Sequence, residues 1–321
     1  MAPWLTPLLK ALVSAVLIAW LLSAIDADAA LRWLRRLAPV AAVLAVAVFY
    51  LQGLVFVVRW RWLLASVGMG RPVGAVLQIV WIGLFFNQVL PSSVGGDAVR
   101  VWYLRQSGTT LSDAFLGVMA ERVIQVVGLL LLIVCGMPSL LALMPDHALA
   151  VALPAAMLGL LAAIGGLLWF DRLPLGGLDW PLLATLCRLA AMLRGLCASP
   201  ATAVLLLALS VAGHVLLVVA VWLLALGLDL SLSFGEALVI VPLAMFVTLV
   251  PVSIAGWGVR EGALAAGFGL IGIPLEAAVV VSVLFGLAAV LQGLPGGVLW
   301  VLARGRRPPL KTQSLTIEGS E

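Results

Sequence analysis

Residues 90–100 read LPSSVGGDAVR and residues 250–260 read VPVSIAGWGVR, an offset of 160 in a chain of 321 residues. Pro91 matches Pro251, Ser93 matches Ser253, Gly96 matches Gly256, Val99 matches Val259 and Arg100 matches Arg260. Both stretches interrupt strongly apolar sequence. Proline withholds an amide donor and stops a helix, while glycine permits positive φ and close backbone approach. Two such breaks in one register, half a chain apart, predict two broken or re-entrant helices from an internal repeat. Amides near Gly95, Gly96, Gly256 and Gly258 are then expected to face a ligand. Backbone of this kind is tolerated at membrane depth only where protein or water covers it.

The surrounding composition fits that setting. With 64% hydrophobic and 10% charged residues and a mean hydropathy of +1.24, the chain is excluded from the soluble class, where charged residues approach about a quarter. Apolar stretches fall near 8–25, 39–58, 73–90, 111–135, 148–170, 201–227, 236–250, 259–273 and 276–303. At about 20 residues per span they predict an all-α polytopic membrane protein of about eight or nine hydrophobic segments. The third, seventh and eighth are short or interrupted by Pro and Gly. The expected organisation is one transmembrane domain over 1–303, with repeat halves near 1–140 and 148–303. The stretch 304–321, RGRRPPLKTQSLTIEGSE, is expected to be a disordered cytoplasmic tail. The apolar run 11–22 is expected as a first membrane helix; a signal peptide ending near Ala27-Asp28-Ala29 is the alternative.

Sixteen of the 18 basic residues are arginine, against 14 acids, a balance suited to phosphate headgroups. No basic run exceeds the Arg304, Arg306, Arg307, Lys311 cluster, so no nucleic-acid partner is expected. Arg172, Arg188 and Arg194 in 171–200 and the arginines of the tail place both segments in the cytoplasm by the positive-inside rule, with the C-terminus inside a cytoplasmic (inner) membrane of bacterial type. The rule does not decide the N-terminal end: Arg32, Arg35 and Arg36 lie in one connection, and Arg59, Arg61 and Arg71 in the next. The stretch 179–199 reads either as an interfacial helix or as a loop helix. Cys135, Cys187 and Cys197 form no CxxC or metal spacing and read as packing residues.

Arg100 and Arg260 lie just past the breaks, where a new helix begins and its dipole favours an anion. They are expected to clamp a headgroup phosphate from two sides, with Asn87, Ser92, Ser93 and Ser253 as hydrogen-bonding neighbours; snorkelling to the interface is the alternative. Asp97, Glu121, Arg122 and Glu261 also interrupt apolar sequence. A charge at bilayer depth costs about 2.5–3.5 kcal/mol on insertion scales, so Asp97, Glu121 and Glu261 are expected to pair with the arginines and, with Arg122, to form an ion-pair or gating set; for Glu261 the alternative is a cap on the first turn of the helix 261–272. His214 reads as a structural histidine, and Glu236 and Glu276 as acids at helix starts.

The combination N87-Q-V-L-P-S-S-V-G-G-D-A-V-R100, E121-R122 and P251-V-S-I-A-G-W-G-V-R-E261 resembles the lysylphosphatidylglycerol synthase transmembrane-region family, also described as flippase-like membrane proteins. The resemblance spans nearly the whole chain. It implies a polytopic helical module that binds amphipathic lipids and moves them between leaflets. The stretch 304–321 is not expected to hold a counterpart of the soluble aminoacyl-transferase domain of the fused enzymes, so the synthase activity is not expected to transfer. The expected function is therefore a lipid flippase or transporter for an anionic phospholipid, a polyprenyl-linked lipid or a hopanoid-type lipid, with a lipid-biosynthesis enzyme as a possible partner. No cofactor, metal or catalytic residue is expected: there is no GxxxxGK[ST], HExxH or GxSxG. Two alternatives remain at this point. One is an intramembrane transferase with Asp97 and Glu121 as acid and base; the other is a non-catalytic assembly partner.

Overall fold

A computed structural model describes residues 25–90, 95–143, 147–172, 181–249 and 255–303, with isolated positions between 12 and 23. Pro91, Ser92, Ser93, Pro251, Ser253 and the 304–321 stretch therefore lie outside the described residues. Within them the protein is all-α: α1 (Ala27–Arg36), α2 (Pro39–Ser66), α3 (Val73–Val89), α4 (Gly95–Gln106), α5 (Leu111–Leu143), α6 (His147–Leu167), α7 (Pro181–Cys197), α8 (Pro200–Gly227), α9 (Phe234–Val247), α10 (Val259–Gly269) and α11 (Leu275–Ala303). Among the described residues, four segments are long and apolar enough to cross a membrane: α2, Leu111–Ser139 of α5, α8 and α11.

The helix boundaries follow local chemistry. Asp26 caps α1 by accepting from the Asp28 amide, and Arg35 and Arg36 sit at its negative end. Both α2 and α8 open on a proline in the first turn, where the missing donor is harmless. Glu236, read as an acid at a helix start, completes a capping box with Ser233 at the head of α9. The segment expected to end at 58 runs on to Ser66, carrying Arg59 into the helix.

The element order repeats. Helices α2 and α8 begin at 39 and 200 and α3 and α9 at 73 and 234, each pair 161 apart; α4 and α10 begin at 95 and 259 and α5 and α11 at 111 and 275, each pair 164 apart. The packing repeats too: α3 lies on α11 as α9 lies on α5, α2 on α11 as α8 on α5, and α1 on α11 as α7 on α5. Only α6 has no counterpart among these helices. The two-fold relation centres on α2 and α8, which run antiparallel. The Ala38 amide donates to Gly227 O at 2.8 Å, and at the other end Leu63 shares a core cluster with Leu206. Equivalent helices that pack antiparallel are related by an axis in the membrane plane, the arrangement of an inverted repeat.

Helices α3 and α4 form a hairpin that enters and leaves on one face. Arg71, just before α3, donates to Ser107 Oγ (3.0 Å) and Thr109 Oγ1 (2.8 Å), just after α4. At about 1.5 Å per residue α3 is about 25 Å long, short of a hydrocarbon core of about 30 Å. A Cβ on Gly96 would lie 2.1 Å from Gly83 O, so bare backbones meet inside this hairpin. Helices α9 and α10 repeat the hairpin from the opposite face, where Leu230 and Leu232 before α9 share a core with Ile273 after α10.

The face from which α3 enters carries Arg71, Arg105 and Arg172, with Arg188 on Asp113 (2.7 Å) and Arg194 on Leu168 O (3.0 Å). Helix α7 lies on this face and buries Leu189, Leu193 and Leu196 against Leu63 and Leu116. The opposite face holds Arg32, Arg35 and Arg36 together with Asp26, Asp28, Asp229 and Glu276.

Helices α3 and α11 cross so closely that a Cβ on Gly296 would lie 1.9 Å from Trp81 O, a backbone atom that cannot rotate away. Gly296→Ala is expected to destabilise the bundle by at least about 1–3 kcal/mol. Gly159→Ala on α6, where a Cβ meets nothing within 4 Å, is expected to be neutral or slightly stabilising. Thermal melts of the two variants in detergent check this.

Candidate functional site

The two hairpin tips, entering from opposite faces, meet at one cavity of about 520 Å³. The end of α3 supplies Asn87 and Gln88, and the second tip supplies Thr248, Ala255 and Gly256. Asp97 of α4, Met119, Arg122, Gln125 and Leu129 of α5, His214 and Leu217 of α8, and Met245 of α9 add to the lining. Gly256 and Gly258 hold φ of 79° and 87°, which lets the second tip turn sharply where a Cβ would be strained.

Behind the cavity wall lies a network of buried charges. Glu121, fully buried, accepts from Arg59 Nη2 through one oxygen and from Arg100 Nη1 (3.3 Å) through the other. Asp97 is likewise shared: Oδ1 takes Arg100 Nη1 at 3.0 Å and Oδ2 takes Arg122 Nε at 2.6 Å. The Arg100 guanidinium stacks 4.1 Å from the Trp60 ring and 4.8 Å from Phe56, and its Nε and Nη2 have no hydrogen-bond partner among the described residues. In the second half Arg260 pairs with Glu261, whose other oxygen accepts from the Gly258 amide at 2.6 Å. Ser282 of α11 donates to the same carboxylate at 3.3 Å, and Trp257 covers the guanidinium at 4.7 Å.

The structure thus brings part of the expected site together and sets part of it aside. Asn87, Asp97, Arg122 and Gly256 line the cavity; Arg100 and Arg260 do not. Both are 95% or more buried, held by carboxylates and aromatic faces, so the cation facing the cavity is Arg122, whose side chain is 32% exposed. The amides of Gly96 and Gly258, expected to face a headgroup, are already bonded, the first to Asn87 Oδ1 at 2.9 Å and the second to Glu261. Gly95 is buried at the start of α4 under Leu90. Glu121 and Glu261 lie behind the wall. His214, read as structural, lines the cavity while its Nε2 bonds Gln125 O at 3.0 Å. Arg59 and Gln125 were not singled out by sequence. The signal for Arg59 was its place in VFVVRWRWLL, a charge inside an unbroken apolar helix.

Removing one partner of a buried pair leaves the other charge uncompensated. Glu121→Gln, which strips Arg59 and Arg100 together, is expected to lower stability by about 3–5 kcal/mol. Asp113→Asn, in an exposed pair with Arg188, is expected to stay within about 1 kcal/mol. Denaturation of the two variants in mixed micelles compares these losses.

Comparison with known proteins agrees with this architecture. A UPF0104 membrane protein of Pyrococcus horikoshii is 29% identical over 87 residues, 26% of this chain and 26% of that protein. The aligned stretch thus spans about a quarter of that relative. The Lysylphosphatidylglycerol synthase TM region family matches over residues 8–296, from before α1 to within α11, and takes in both hairpins and the cavity between them. This all-helical membrane protein therefore belongs to the Lysylphosphatidylglycerol synthase TM region family.

Proposed function

We propose that the protein is a lipid flippase or lipid transporter whose headgroup site is the polar cavity between the hairpin tips. One observation carries this reading: two hairpins enter from opposite faces and end at a shared polar cavity inside an apolar bundle. In an inverted repeat, each half reproduces for one face what the other half does for the opposite face, so rocking one against the other opens the site alternately. Family membership supports a role with membrane lipids.

In this mechanism the lipid tails stay in the bilayer and the headgroup enters the cavity. An anionic oxygen takes the Arg122 guanidinium, whose Nη1 otherwise donates to Gln125 Oε1 at 3.4 Å, while Asn87, Gln88, Gln125 and Thr248 supply neutral hydrogen bonds. Asp97 holds Arg122 Nε in the unliganded state and competes with the headgroup for it, so release on either side is not blocked by an unpaired arginine. Arg100, Glu121, Arg260 and Glu261 act as positioning groups that fix α4, α5 and α10. The reading favours transport over transfer chemistry, because Asp97 and Glu121 each already accept from two arginines. The arginine-rich face from which α3 enters is assigned to the cytoplasm of an inner membrane, with the C-terminus on that side.

The test is a proteoliposome assay with fluorescent phospholipids and a membrane-impermeant quencher. The unaltered protein is expected to render the inner leaflet quenchable. Arg122→Gln, which removes a charged hydrogen bond but leaves Glu121 paired, is expected to slow this by about tenfold or more. Equal rates with and without protein overturn the proposal.

A further inference from the structure

The buried network does not balance. Arg59, Arg100 and Arg122 stand against Asp97 and Glu121, three positive charges and two negative, leaving one positive charge. Among the described residues these five pair with one another and with no other charged side chain. The Arg260–Glu261 pair is neutral by itself. The neighbouring stretches 91–94 and 250–254 contain no ionisable side chain, and His214 spends its Nε2 on Gln125 O.

An unmatched charge inside a bundle surrounded by hydrocarbon is strongly unfavourable. Asp97 and Arg122 are the members of the network that line the cavity, and Arg122, its side chain 32% exposed against 4% for Asp97, is the cation presented there, so the missing negative charge is supplied in the cavity. From this count we propose that the cavity selects headgroups carrying one net negative charge, a lipid phosphodiester with otherwise neutral substituents. Zwitterionic headgroups and dianionic phosphomonoesters are disfavoured. The selection is set by the charge sum of the network and not by contact with Arg122 alone. The inference rests on reading the cavity as a headgroup site and deepens that reading by naming the class it takes.

The distinguishing residue is Arg59. It pairs with Glu121 behind the wall and does not line the cavity, yet removing its charge brings the network to zero. Asp97→Asn moves the sum the other way, to two positive charges.

The experiment is native mass spectrometry of the full chain in nanodiscs. Phosphatidylglycerol, phosphatidylcholine and phosphatidic acid are offered in equal amounts at about pH 8, where a phosphomonoester approaches two charges. The unaltered protein is expected to retain phosphatidylglycerol over the other two by about tenfold. Arg59→Met is expected to lose that preference while remaining monodisperse, Arg59→Lys to restore it, and Asp97→Asn to shift it toward phosphatidic acid. Equal retention of the three lipids by the unaltered protein, or an unchanged preference in Arg59→Met, overturns the charge count. Deacylated glycerophosphoglycerol, binding as tightly as the intact lipid, overturns the assignment to a lipid. The transport reading fails separately: the charge order with no leaflet exchange removes transport and keeps the selection, and equal exchange of all three lipids does the reverse.

Discussion

A helix that stops inside a bilayer leaves amides and carbonyls facing a medium that offers no hydrogen bonds. Two hairpins in this protein stop there, and much of the surrounding structure answers that constraint. At the first tip Asn87 accepts from the Gly96 amide; at the second Glu261 accepts from Gly258, and Thr248 closes back onto Met245 O at 2.6 Å. Each tip is also covered by the long helices of the other half. The same enclosure that satisfies the backbone creates the cavity, since side chains chosen to bond amides leave polar surface where the two tips face one another.

The buried arginines obey a related rule. Arg100 and Arg260 occupy matching places and each is held between a carboxylate and aromatic rings, which spreads the cost of desolvating a guanidinium over an ion pair and a π face. Their surroundings differ in one respect. The first half offers two acids shared among three arginines; the second offers one acid for one arginine, with Ser282 as its neutral neighbour. The repeat therefore preserves backbone geometry while concentrating charge on one side of the cavity.

Much of the fold was legible because it rests on local signals. Proline and glycine marked both hairpin tips, apolar windows located the long helices, and Glu236 read as a helix-start acid from its position alone. The site was legible only in part. Asn87, Asp97, Arg122 and Gly256 were named from their setting, but the sequence has no term for direction, and Arg100 and Arg260 face ion pairs instead of the cavity. The contacts of His214 and Arg59 were hidden for a similar reason. A lone histidine on an apolar helix and an arginine at the end of an apolar window are ordinary, and their roles arise from helices far away in sequence. The partner of Arg59 is 62 residues on, and that of His214 is 89 residues back.

Helix α6 contributes Met157 to a core shared with α5 and α9 and supplies none of the cavity-lining residues, yet the orientation of half the molecule hangs on it. The five-helix unit α1–α5 crosses twice, by α2 and α5, with a hairpin that returns to its own side, so it begins and ends on the same face of the membrane. Joined directly to a second copy, it would lay both units the same way up, and both hairpins would dip from one side. The extra passage through α6, 21 residues from His147 to Leu167, delivers the chain to the other face before the unit starts again. An unpaired helix thus acts as a parity switch, and its presence turns a tandem duplication into a molecule with one hairpin entering from each side.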